Sequence, residues 1–197
     1  TSGTLLIHLG MSGSIRLLNR DEPPGKHDHV DIVCDSGEIL RYKDPRRFGA
    51  FVWVSGDPAA HPLLRNLGPE PWDKACDADY LFALSRGRRV AVKSFIMDAG
   101  VIVGVGNIYA NEALFRAGIR PRRAAGRVTR AEYGVLLAAI RQVLEDAIKA
   151  GGTTLRDFAA GRGQSGYFQI SLSVYGRGGQ PCPRCGGRLA EVRTGGR

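Results

Sequence analysis

The chain has 197 residues, 43% of them hydrophobic and 24% charged, with 28 lysines and arginines against 19 acidic residues and a formal net charge of +9. No apolar run approaches the roughly 20 residues that span a bilayer, so no helical membrane anchor is expected within it. Four cysteines, two of them isolated at Cys34 and Cys76, do not make a disulfide framework, and a reducing, cytoplasmic setting is expected.

Residues 1–54 read as strands. Segments 4–9, 14–18, 29–34, 38–42 and 50–54 are apolar and separated by Gly, Pro and Asp, and Asp35-Ser36-Gly37 is placed as a hairpin turn. Residues 56–72 break into Asp57-Pro58, His61-Pro62 and Gly68-Pro69-Glu70-Pro71, as interdomain linkers do. The period then turns helical. Segments 79–85, 90–98, 107–117 and 129–150 are expected helices, the last opened by a capping box of Thr129 and Glu132 and stopped by Gly151-Gly152. Its Leu136, Ile140, Val143, Leu144, Ala147 and Ile148 are expected to form one buried face. A glycine-rich loop at 161–166 and a strand-like run at 167–175 lead to Cys182-Pro183-Arg184-Cys185. The fold class is therefore α+β, divided as a β portion over 1–55, a linker over 56–75, a helical domain over 76–160 and a loop with a hairpin over 161–197.

The arginines fall in clusters at 46–47, 86–89, 120–123, 127–130 and 184–197. By charge alone, a polyanion partner and an arginine-rich solvated surface fit equally well. Met11, between Gly10 and the Ser12-Gly13 pair, reads by itself as a packed side chain at a tight turn. Arg46, Arg47 and Phe48 can hold phosphates while a ring enters a base stack, although a solvated turn with a buried Phe is the commoner outcome. Gly104 and Gly106 precede Asn107 at a helix start, where unobstructed backbone N–H groups make a seat for phosphate. That motif lacks the third glycine of a dinucleotide fingerprint and the lysine of a P-loop. Lys93 reads by default as a surface charge. Cys182 and Cys185 suggest half of a zinc knuckle more than a redox pair, because no thioredoxin-like strand and helix surround them.

Together and in order, the segments HLGMSG, KHDHV, RYKDPRRFG, LGPEP, GVGNIYANEALF, GGTTLRDF, GYF and VYGRGGQPCPRCG resemble the bacterial formamidopyrimidine-DNA glycosylases, base-excision enzymes for oxidised purines. The related endonuclease VIII group shares the helical and zinc parts, but the HLGMSG and PRRFG loops fit the formamidopyrimidine branch better. The resemblance implies a β-sandwich, a helix-two-turn-helix domain and a C-terminal zinc hairpin, with duplex DNA as partner and the protein as a monomer. Under it, Met11, Arg46 and Phe48 fill the space left by an everted nucleotide, while His27, Arg46, Arg88, Lys93 and Asn107 meet DNA. Gln164, Ser165, Gly166 and Tyr167 form the lesion-capping loop, Cys182 and Cys185 bind zinc, and Arg197 grips phosphate and serves the later elimination step. Many relatives have lysine where Gln164 aligns.

The same resemblance assigns the nucleophile to an N-terminal proline followed by a glutamate, both upstream of Thr1, and a second cysteine pair downstream of Arg197. The chain is accordingly expected to be the interior of a larger glycosylase and abasic-site lyase, and inactive by itself. A truncated paralogue that binds damaged or bent DNA without cutting it is the rival reading. A zinc-ribbon protein on RNA is a weaker third, favoured only by charge and the half knuckle.

Overall fold

The computed structural model describes residues 3–18, 22–150 and 172–192, and the chain divides into two compact units between Arg65 and Asn66. Among the described residues no helix is long and apolar enough to cross a membrane.

The first unit holds strands β1 (Thr4–His8), β2 (Ser14–Leu18), β3 (Asp28–Val33), β4 (Ile39–Lys43) and β5 (Ala50–Val54). Strands β1 and β5 pair antiparallel in one sheet; β2, β4 and β3 pair antiparallel in a second, with β4 central. The expected hairpin turn joins β3 to β4, closed by the Cys34 N–H on the Glu38 carbonyl at 2.9 Å. Gly37 there takes φ 90°, a conformation that side chains resist. The Tyr42 and Phe51 rings, 4.8 Å apart, pack β4 of one sheet against β5 of the other. Arg41, 2% exposed, donates from Nε and Nη2 to the two carboxylate oxygens of Asp31 at 2.8 Å each, a paired geometry that offsets the desolvation of its charge.

The second unit holds α1 (Ala78–Ser85), α2 (Val92–Ile96), α3 (Asn107–Ala117) and α4 (Arg130–Lys149). Helix α2 is shorter than the expected 90–98. Residues 88–92 run beside 123–126 instead, with Val92 N–H on Arg123 O and Ala125 N–H on Val90 O, both at 2.8 Å. The Val90 carbonyl, taken by Ala125, cannot accept the N–H four residues on, so the helix begins at Val92, whose free first-turn N–H the bridge satisfies. On α4, Leu136, Ile140, Val143, Leu144 and Ala147 are buried as expected, joined by Tyr133 and Leu137. Ile148 is not: it is 69% exposed, because the 3.6-residue period carries it past the edge of the apolar stripe.

Residues 66–76 pack onto these helices. Gly68 N–H reaches Ala99 O at 2.8 Å, and Arg141 of α4 donates to Pro71 O at 2.7 Å and Cys76 O at 2.9 Å. Cys76 is fully buried and burial pushes its thiol up, which fits a packing role.

The capping box forms as expected. Thr129 N–H donates to Glu132 at 2.8 Å, and Glu132 N–H donates back to Thr129 Oγ1 at 3.2 Å. The Arg123 guanidinium, 2.6 Å from Glu132, together with the Thr129 N–H holds the Glu132 carboxyl down at about 2. A lowered folded-state value means that this cap's contribution is complete above the ordinary glutamate range and lost as pH falls through about 2. Amide exchange at Thr129 is therefore expected to stay slow from neutral pH down to the carboxylate range and to accelerate only in stronger acid. Acceleration near pH 6 would contradict the assignment.

Residues 172–192 belong to the second unit, with Gly179 N–H on Leu189 O at 2.8 Å and Leu189 N–H on Gln180 O at 2.9 Å. Of the strand expected at 167–175, residue 172 is irregular, residues 173–175 form bends and a turn, and the rest lies outside the described residues. The bend has a local cause. The N–H groups of Ser173, Val174 and Tyr175 converge on the carboxylate of Glu112 at 2.8, 2.9 and 2.9 Å, whereas strand N–H groups alternate in direction.

Candidate nucleic-acid interface

In the first unit, the loop between β1 and β2 carries Met11, and the loop between β4 and β5 carries Arg46 and Phe48. Asp44, fully buried, connects them. Its carboxylate accepts from Ser12 Oγ at 2.7 Å, Tyr42 Oη at 2.9 Å, Gly49 N–H at 2.9 Å and Arg46 N–H at 3.2 Å. Burial opposes ionisation of Asp44, but the four donors outweigh it and hold the carboxyl well below the usual carboxylate range. Burial and the same carboxylate push the Tyr42 hydroxyl up to about 12.

The two loops touch. A Cβ on Gly10 would lie 2.7 Å from the backbone of Phe48, and one on Gly49 would lie 1.7 Å from Tyr42 Oη, so only glycine fits at either place. Met11 is 61% and Phe48 57% exposed, which corrects the packed-core reading of each side chain taken alone. The Arg46 guanidinium lies 4.9 Å from the Phe48 ring centroid. Arg47 has φ 56°, a left-handed backbone that a residue with a long side chain adopts only where its neighbours impose it. His27 is half-buried beside this cluster, its carbonyl accepting the Asp44 N–H at 3.0 Å.

In the second unit, Asn107 opens α3 behind a Gly106 cap that provides no side-chain hydrogen bond, and Gly104 has φ 80°. A Cβ at either glycine would meet nothing within 4 Å, so the approach to the first N–H groups of α3 is open. Asn111 Nδ2 donates to Asn107 O at 2.7 Å and to Asn107 Oδ1 at 3.3 Å, which orients the Asn107 side chain. A cleft of about 580 Å³ runs past Asn107, Asn111, Lys93, Arg120, Tyr175 and Arg184. Lys93 is 5% exposed and is therefore a lining residue of this cleft, not the surface charge expected from its position in the sequence. Arg88 is exposed, its guanidinium 5.4 Å from the Phe95 ring centroid.

Cys182 and Cys185 sit on a tight turn, with Gly186 N–H on Cys182 O at 2.9 Å and Gly186 at φ 72°. The backbone N–H groups of Arg184 and Cys185 point to the Cys182 sulfur and hold its thiol below the ordinary range, as a thiolate ligand requires. This donor pair fits half of a tetrahedral zinc shell. Among the described residues no group of three or more His, Cys, Asp or Glu gathers around one point. Arg184, between the two cysteines, donates to Arg116 O at 3.1 Å and lies 5.0 Å over the Phe115 ring, so the turn is anchored on the C-terminal end of α3.

The structure thus gathers Met11, Arg46, Phe48 and His27 in one unit, and Lys93, Asn107 and the cysteine turn in the other. Gln164, Ser165, Gly166, Tyr167 and Arg197 lie outside the described residues. The sequence reading gave Asp44, Asn111 and Glu112 no role and took Arg184 only as one of a cluster of arginines. Asp44 and Glu112 sit inside the recognised segments, but nothing in hydrophobic periodicity marks a buried carboxylate that gathers a distant hydroxyl, as Asp44 does from Ser12, or the backbone N–H groups of a distant segment, as Glu112 does.

Comparison with known proteins agrees with this geometry. The formamidopyrimidine-DNA glycosylase N-terminal domain model matches residues 1–51, and the formamidopyrimidine-DNA glycosylase H2TH domain model matches residues 67–159. The formamidopyrimidine-DNA glycosylase of Alkalilimnicola ehrlichii is 59% identical over 198 residues, spanning 98% of this chain and 72% of the relative. That of Pseudomonas putida is 61% identical over 193 residues, spanning 98% and 71%. Among solved structures, the MutM (Fpg) protein of Thermus thermophilus superposes with a TM-score of 0.86 at 38% identity. The Lactococcus lactis Fpg in complex with DNA containing an abasic site superposes with a TM-score of 0.87 at 32% identity. Each superposition covers 98% of this chain and 71% of the other. With matches on both units and this level of identity, the chain belongs to the formamidopyrimidine-DNA glycosylase family.

Proposed function

We propose that these residues hold damaged duplex DNA and keep a nucleotide everted, as part of a DNA glycosylase and abasic-site lyase that removes oxidised purines such as 8-oxoguanine and formamidopyrimidines. The observation that carries this reading is the pair of large apolar side chains, Met11 and Phe48, exposed on two abutting loops beside the Arg46 guanidinium. A base leaving the stack costs a few kcal/mol, and an inserted side chain offsets part of that loss. Solvent exposure of such a pair is unfavourable in the free protein, so its retention suits a partner that covers it. The Lactococcus lactis relative has been solved with DNA containing an abasic site, and a point mutant of it with DNA containing Fapy-dG, which supports the same substrate class here.

In this reading Asn107 and the open start of α3 take a phosphate, with Arg88 and Lys93 adding positive potential. Residues 164–167 cover the extruded base, and Arg197 assists the elimination. Cys182 and Cys185 supply two thiolates to a zinc ion, which contributes folding energy to the hairpin when its shell is closed. The bond-making amine that the family resemblance implies is that of an N-terminal proline.

The test is salt. Binding of the 197-residue polypeptide to duplex DNA is expected to weaken steeply, with a log-log slope of about −4 to −5 if roughly five phosphates are neutralised. Affinity unchanged between low and moderate salt would refute a phosphate-holding surface.

A further inference from the structure

We propose that Asp44 is a positioning residue that locks the Met11 loop to the Arg46–Phe48 loop, so that Met11 and Phe48 enter the duplex as one rigid wedge. The proposal rests on the void-filling reading above and adds the device that makes it work. Ser12, one residue after Met11, donates to Asp44 Oδ1 at 2.7 Å, and Arg46 N–H donates to that same oxygen at 3.2 Å. Gly49 N–H, one residue after Phe48, and Tyr42 Oη each donate to the other oxygen at 2.9 Å. A single carboxylate therefore holds both loops within a residue or two of each side chain that must insert. Its own backbone is held in turn by the His27 carbonyl at 3.0 Å and by His29 Nε2, 2.9 Å from its carbonyl.

The arrangement answers a mechanical problem. A wedge on two independent loops would be pushed apart by the bases it separates, because each loop could yield separately. Four donors on one buried acceptor make yielding of either loop break a charged hydrogen bond in a place closed to water. The glycines at 10 and 49 allow the close packing that brings the donors into reach.

The test uses binding alone, with 2-aminopurine placed beside an abasic-site analogue in a duplex, so that wedge insertion is read as a fluorescence change. Met11→Ala and Phe48→Ala should each reduce the change, and their effects should be coupled in a double-mutant cycle. Ser12→Ala, which leaves both wedge side chains in place, should reduce the signal by about twofold or more and abolish the coupling; Ser12→Thr, which keeps the hydroxyl, should restore both. Asp44→Asn should act as Ser12→Ala does, but more strongly, and Ser12→Ala decides the matter if Asp44→Asn does not fold. Full signal and intact coupling in Ser12→Ala would overturn the lock. No effect of Met11→Ala or Phe48→Ala would instead remove the wedge reading, and the lock with it.

Discussion

A polypeptide of these 197 residues is expected to give no covalent adduct when borohydride is added to its mixture with oxidised-guanine DNA, whereas the same polypeptide extended by an N-terminal segment beginning Pro-Glu is expected to be trapped. The chemistry is all-or-none. An amine attacks C1′ of the sugar, the damaged base departs with the bonding electrons, and the opened sugar remains joined to the amine as an imine that borohydride reduces to a stable secondary or tertiary amine. A proline amine at a chain terminus suits this role because it is nucleophilic near neutral pH, whereas an ordinary lysine is mostly protonated there. Lys93, the first alternative, is 5% exposed in the cleft of the second unit. Trapping of the unextended polypeptide, abolished by Lys93→Ala, would show that the nucleophile had been misassigned. An extended protein that binds damaged DNA but is never trapped would favour the non-cutting paralogue.

Replacement of Glu112 by alanine is expected to destabilise the second unit by about 3–5 kcal/mol, since removing one side of a buried hydrogen-bonded cluster leaves the other side unsatisfied. Glu112 is 3% exposed and accepts three backbone N–H groups, from Ser173, Val174 and Tyr175. The lost donors belong to the segment that leads into the cysteine turn. Its amides should exchange faster than those of α4, and the melting temperature should fall by about 10 °C or more for a chain of this size. Glu112→Gln is the discriminating partner. It retains an acceptor for Val174 and Tyr175 but presents an NH2 to the Ser173 N–H, so about half the loss is expected. A change within about 1 kcal/mol for Glu112→Ala would mean that residues 172–176 are held by the hairpin alone.

Much of this protein was legible without coordinates. Strands β1 to β5 and helices α1, α3 and α4 begin and end within a residue or so of where alternation, helical period, glycine turns and the Thr129/Glu132 box put them, because those signals are local and the backbone obeys them locally. The family, too, was written in short segments whose order is specific even where each is ambiguous. Tertiary structure decided the rest. Whether Met11 and Phe48 are core or surface depends on what lies across from them, and their neighbours in sequence carry no record of it. The shortening of α2 came from a backbone bridge to residues 123–126, some thirty positions away. Lys93 changed from a presumed surface charge to a cleft residue for the same reason. Asp44 and Glu112 make the point most clearly: composition marks an acidic residue as a solvated one, and only the convergence of N–H and hydroxyl donors from separate loops makes a buried carboxylate the most stable occupant of its site.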